Sequence, residues 1–180
     1  MRHAIFSVVG LATLVALMSG DAELAAYACP LDASGAVALH PVRATPEPYA
    51  ARVRDLAING RQYALDGYVM RHMHWAEVPV IPFQPRQVSA IVTIASRERG
   101  AVEAITTACV SLSQSGQIWT RRAFPSAISM RGDGVWYRSV GAGRGPEWTE
   151  GSFASLELLL SQGSKGYRLD LGEVQITGAD

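Results

Sequence analysis

RDLAINGRQYAL, residues 54–65, sets an Asn-Gly pair between two β-prone runs. Asn59 and Gly60 both tolerate positive φ, which a two-residue hairpin turn demands at its two central positions, so the stretch predicts a tight β-hairpin. Working outward, the same alternation of apolar and polar side chains recurs at intervals of roughly ten residues, with glycine, asparagine or aspartate between the runs.

Towards the C-terminus, Val88, Ala90, Val92 and Ile94 alternate with Gln87, Ser89 and Thr93, and Ala108, Val110 and Leu112 alternate with Thr107, Cys109, Ser111 and Ser113. A period of two places alternate residues on opposite faces, so each run is a strand with one wet face. SQSGQIW (113–119) turns into a strand carrying Trp119, and Asp133-Gly134 opens another through Trp136. Leu156, Leu158 and Leu160, then QGSKG, then Tyr167, Leu169 and Leu171 give a second hairpin. Only Gly100–Ala104 hints at helix. These features predict an all-β chain, and short strands without a helical period favour an antiparallel β-sandwich, immunoglobulin-like or fibronectin-like, over a closed barrel. The Cys29–Trp75–Cys109 spacing is too wide for the immunoglobulin cysteine pattern, and Cys29 lies in an extended lead-in.

Residues 1–28 read as a signal peptide: Arg2 and His3 precede the apolar run AIFSVVGLATLVALM, which Ser19, Gly20, Asp21 and Glu23 end before it reaches the about 20 residues a spanning helix needs. Small residues allow cleavage after Ala28 or Ala22. Residues 29–47 carry Pro30, Pro41 and Pro46 and read as an extended linker; residues 48–180 form the single β domain. Export leads to the periplasm, the cell surface or the medium, where Cys29 and Cys109 either pair in a disulfide or leave Cys29 to carry a lipid, as in bacterial lipoproteins. The two fates exclude each other, and the membrane is a partner only in the second.

Composition removes several function classes. Hydrophobic residues at 48% with only 18% charged describe a globular domain with a conventional core. Sixteen basic residues cancel sixteen acidic ones, so no net field draws the chain to nucleic acid. Lys165 is the sole lysine, and the arginine bias points to a GC-rich bacterial coding sequence.

Two constellations carry chemistry. In YVMRHMHW (68–75), Met70, His72 and His74 share one face of a strand while Arg71, Met73 and Trp75 take the other. Imidazole and thioether donors suit copper, with His40 or Glu77 to complete the set; the plainer reading is a core-facing Met73 and Trp75 with half-exposed histidines. The second constellation gathers Trp119, Arg121, Arg122, Arg131, Trp136, Tyr137, Arg138, Arg144 and Trp148. Aromatic rings stack on sugars and guanidinium forks grip carboxylates, so Trp119, Arg121, Trp136, Tyr137, Arg144 and Trp148 are the candidate ligand-binding residues; the competing reading puts the tryptophans in the core and the arginines on solvated strand faces. The loop SVGAGRGPEWTEGS (139–152) reads as a flexible ligand loop or a plain connection. GAGRG is followed by no helix start and is not a phosphate loop, and the Arg131–Asp133 tripeptide is hairpin chemistry. No nucleophile elbow, histidine with an acid partner or paired carboxylates at recognisable spacing appears.

The functional expectation is a non-enzymatic, exported binding module for an envelope polysaccharide or protein partner, without a cofactor. The alternative is a periplasmic copper-binding protein using the Met70/His72/His74 face.

Overall fold

In a computed structural model of the protein, residues 27–39, 50–71 and 87–178 are described. A 3-10 turn (Ala33–Gly35) precedes β1 (Val37–Leu39), β2 (Ala51–Ile58), β3 (Arg61–Arg71) and β4 (Val88–Ser96). The short helix α1 (Arg99–Glu103) leads into β5 (Ile105–Gln114), β6 (Gln117–Pro125), β7 (Ser129–Met130), β8 (Trp136–Ala142), β9 (Phe153–Gln162) and β10 (Lys165–Gly178). The chain is all-β, and α1 falls where the sequence hints at helix.

The local turns follow the turn chemistry. Asn59 and Gly60 take φ of 49° and 76°, joining β2 to β3, and Ser115 and Gly116 take 50° and 80°, joining β5 to β6. Both hairpins place two left-handed residues at the tip, matching the right-handed twist of the strands they connect.

The strand order closes on itself. From β10 the sheet passes through β9, β5, β6, β8 and β4 to β3, and Val69–Arg71 of β3 then pair in parallel with Ile176–Gly178 of β10. The result is a seven-stranded closed barrel, with β1, β2 and β7 added outside that path. The sandwich expected from sequence requires two sheets with separate edges; here the ends of β6 and β10 cross from one half of the wall to the other and join both edges. Sandwich and barrel share the same alternation of side chains, so the difference lies in which strands become neighbours.

Irregularities in the strands accompany this closure. In β2 the buried positions shift from Ala51 and Val53 to Leu56 and Ile58 across a bulge where Asp55 has φ 58°. In β10 they shift from Tyr167, Leu169 and Leu171 to Val174 and Ile176 across a bulge at Asp170–Gly172, where Gly172 has φ 100° and donates its N–H to Asp170 Oδ1 at 2.8 Å. An inserted residue flips the facing of everything after it and sharpens the bend, which curves a flat wall. Leucine, valine and isoleucine from the strands fill the interior. It is tight enough that a Cβ on Gly67 of β3 would stand 2.6 Å from Leu156 Cδ2 of β9.

One end of the barrel is sealed by a hydrogen-bonded network. Asn59 Nδ2 donates to Gln162 Oε1 at 2.7 Å, Gln162 Nε2 to the Tyr63 hydroxyl at 2.9 Å, Tyr63 Oη to the Ala101 carbonyl at 3.1 Å, and Tyr167 Oη to Asn59 Oδ1 at 3.0 Å. The tips of two hairpins and α1 are thereby tied together. Every member has a partner, which removes the desolvation cost of burying polar groups.

The segment before β1 forms a strap on the outer wall. The Tyr27 ring meets Phe124 of β6 edge-on at 5.8 Å, Cys29 is disulfide-bonded to Cys109 of β5, and β1 pairs in parallel with Tyr167–Leu169 of β10. Between these anchors the strap crosses β9. Cys109 and its neighbour Leu159 face outward, yet they are 0% and 3% exposed, and the strap accounts for that burial. A Cys29 sulfur bonded to Cys109 has no thiol to carry a lipid, so this form of the chain is the disulfide alternative. Among the described residues no helix is long and apolar enough to cross a membrane.

Candidate functional site

A broad concavity lies on the outer face of β2, β3 and β4, opposite the surface that packs the core. Its origin is a pair of small residues: Ala64 of β3 and Ala95 of β4 sit directly across from each other and both point outward. Around this shallow floor stand Arg52, Arg54 and Asp55 of β2, Gln62 and Asp66 of β3, Arg97 and Glu98 beyond β4, and Arg131 beyond β7. Short side chains ringed by long ones leave a groove of about 700 Å³, within the size range of small-ligand sites.

The charges around it divide into two groups. Arg52 Nε and Asp66 Oδ1 form an ion pair at 3.2 Å, and Arg131 Nη2 reaches Asp133 at 3.2 Å. Two guanidinium groups and two carboxylates are thus matched in two partly exposed ion pairs. Turn geometry holds the second: the N–H of Val135 donates to Asp133 Oδ1 and lowers that carboxyl's pKa, with the Arg131 charge adding to the effect against a small desolvation. By contrast, Arg54, Asp55, Arg97 and Glu98 are exposed and make no ion pair or side-chain hydrogen bond among the described residues. Two guanidinium groups and two carboxylates therefore border the groove with their hydrogen-bonding capacity open to a ligand. Asp55 is held there by the β2 bulge in a left-handed conformation that aspartate tolerates better than most residues.

The residues singled out from sequence do not converge on one place. Trp148 is 7% exposed and donates its Nε1–H to Gln117 Oε1 at 3.0 Å, so its ring packs the barrel end instead of facing a ligand. The loop that carries it is docked: Gly145 donates to the Val88 carbonyl and Val88 to the Pro146 carbonyl, and a Cβ on Gly145 would stand 2.7 Å from the Val88 oxygen. Trp119 packs against the core, and its buried Nε1 finds no hydrogen-bond partner among the described residues. Arg121 is half-buried and stands across from Val110. Arg144 places its guanidinium over the Tyr27 ring at 5.2 Å.

Trp136 lies at the opposite end of β8 from the Trp148 loop, under Arg99, whose guanidinium carbon is 5.1 Å from its ring centre. Tyr137 is the member that approaches the groove, being the cross-strand neighbour of Ala95, and Arg131 lines the groove itself. Arg54, Asp55, Arg97, Glu98 and the two alanines were missed by the sequence reading. The available signal was slight: Ala64 between Gln62 and Asp66 on the outward face of β3, and Ala95 after Thr93 on that of β4.

Of the copper set, Met70 sits half-buried in β3 opposite Ser89 and Thr177. His72, His74, Met73, Trp75, Glu77 and His40 lie outside the described residues. Among the described residues, no group of three or more His, Cys, Asp or Glu is placed to hold a metal ion. In comparisons with known proteins, no protein-family model, no curated protein and no solved structure matches this chain.

Proposed function

We propose that this chain is an extracytoplasmic, non-enzymatic binding module that holds an envelope polysaccharide or a protein partner in the groove over Ala64 and Ala95. The observation that carries the reading is the groove itself: a volume of about 700 Å³ on a two-strand floor, bordered by guanidinium and carboxylate groups that are unpaired among the described residues. Binding residues on stiff strands lose little entropy when a ligand arrives. The Cys29–Cys109 disulfide supports an oxidising compartment, as does the apolar N-terminal run. The packing of Tyr27 between Phe124 and Arg144 favours signal cleavage after Ala22, since a cut after Ala28 would remove that ring.

The test is amide chemical-shift mapping of the disulfide-bonded protein during titration with capsular polysaccharide, soluble peptidoglycan fragments and a solubilised envelope-protein fraction. The reading expects at least one of these to shift residues of β2, β3 and β4. Silence of those three strands with all three ligands would remove it.

A further inference from the structure

We infer that the groove takes a short, extended peptide bearing both carboxylate and ammonium groups, in preference to a uniformly acidic glycan. The inference rests on the binding-module reading above and deepens it by naming the ligand's chemistry. Its basis is the balance of charge left after the internal pairs are removed. Arg52 is matched by Asp66 within the groove, and Arg131 by Asp133 at its rim. What remains is Arg54 and Arg97 against Asp55 and Glu98, two cations and two anions.

A polyanion laid along this groove would satisfy the two guanidinium forks but would bring its charges against the Asp55 and Glu98 carboxylates. Like charges at contact distance cost affinity, and electrostatic complementarity sets which partner is accepted. A peptide with one carboxylate and one ammonium can meet a fork at one position and a carboxylate at the next. Guanidinium groups bind carboxylates through two parallel N–H···O bonds, and carboxylates accept from ammonium donors. The floor fits the same ligand: the alanine pair leaves room for a backbone lying flat, while Gln62 and Ser96 also line the groove. Ser96 itself is committed, since its hydroxyl donates to the Gln62 carbonyl at 2.7 Å. Recognition therefore falls to the four charged side chains and the Gln62 amide.

The experiment uses the full disulfide-bonded chain and four probes: the N-acetylated, C-amidated tetrapeptides alanyl-glutamyl-lysyl-alanine, alanyl-glutamyl-glutamyl-alanine and alanyl-lysyl-lysyl-alanine, whose only charges are those of the side chains, and polygalacturonate. Amide shifts locate binding and calorimetry gives affinity. The mixed-charge peptide is expected to shift Ala64, Ala95 and Arg97 and to bind more tightly than the other three. Arg54→Ala and Arg97→Ala should each weaken it about tenfold, the scale of one charge-assisted hydrogen bond. Asp55→Asn with Glu98→Gln should weaken the mixed peptide and strengthen the two-acid peptide, a reversal that loss of folding cannot produce. Asparagine tolerates the left-handed backbone at position 55, so the bulge is preserved.

Tighter binding of polygalacturonate or of the two-acid peptide in the groove would overturn the inference. So would a groove that stays silent with all four probes. If envelope material nevertheless shifts β2, β3 and β4, the binding-module reading survives without this ligand assignment; if nothing in the envelope shifts those strands, both fall.

Discussion

Gln162 is the residue through which the sealed end of the barrel communicates. It accepts from the exposed Asn59 amide and donates to the buried Tyr63 hydroxyl, so Gln162→Leu would remove two hydrogen bonds at once, leaving Tyr63 only its bond to the Ala101 carbonyl. Chemical denaturation should show a loss of about 1–2 kcal/mol, the net contribution of the hydrogen bonds removed. An unchanged midpoint would mean that water replaces the amide. Gly67→Ala should cost a similar amount by a different route, overpacking against Leu156 by about 1–3 kcal/mol in the same measurement. The Tyr63 phenol adds a pH signature. Burial raises its pKa above the ordinary value of 10.0, with the Gln162 hydrogen bond opposing the shift. The folded state therefore holds a proton that the unfolded chain releases. The corresponding stability is complete below about pH 10 and declines as the pH rises above it. An alkaline denaturation profile of Tyr63→Phe, flatter than that of the parent above pH 10, would display this. None of these couplings was legible in sequence, because Asn59 and Gln162 lie 103 positions apart and glutamine at a strand end carries no local signal.

At the level of elements, local chemistry was readable and crossing chemistry was not. Asn59-Gly60, Ser115-Gly116 and Asp133-Gly134 announce turns because positive φ is a property of the residues themselves. The alternation in β4, β5 and β9 was equally plain. The second half of β10 was not: its inward positions change parity at Gly172, so the period-two pattern breaks where the strand bends and continues. The strap was only half visible, since the two cysteines suggested a bond without showing that residues 27–39 cross the outer wall. Closing 80 residues of chain separation contributes about 4–5 kcal/mol in the chain-entropy treatment. A Cys29→Ser/Cys109→Ser double variant should lose up to that amount in a urea titration. Hydrogen exchange should also quicken at Tyr167–Leu169, where β1 covers the β10 edge. Exchange unchanged there would show that β1 holds without the covalent tie.

For the whole molecule, the sequence supplied the class and withheld the closure. Each strand reads the same whether its neighbours form two sheets or one ring, because only two crossings separate the alternatives, the pairing of β6 with β8 and that of β3 with β10, the latter more than a hundred residues apart. The dispersal of the aromatic and basic run has the same cause: Trp136 and Trp148 are close in sequence but sit at opposite ends of a strand roughly 20 Å long. The groove depends on that architecture too, since closure sets the curvature of the wall on which Ala64 and Ala95 lie side by side. The most direct measurement is a set of backbone nuclear Overhauser contacts between Val69–Arg71 and Ile176–Gly178 in the folded, disulfide-bonded protein. The closed barrel predicts amide-to-α-proton contacts in the parallel pattern along this seam. Their absence, with fast amide exchange along both segments, would mean open edges and contradict the fold on which the site stands.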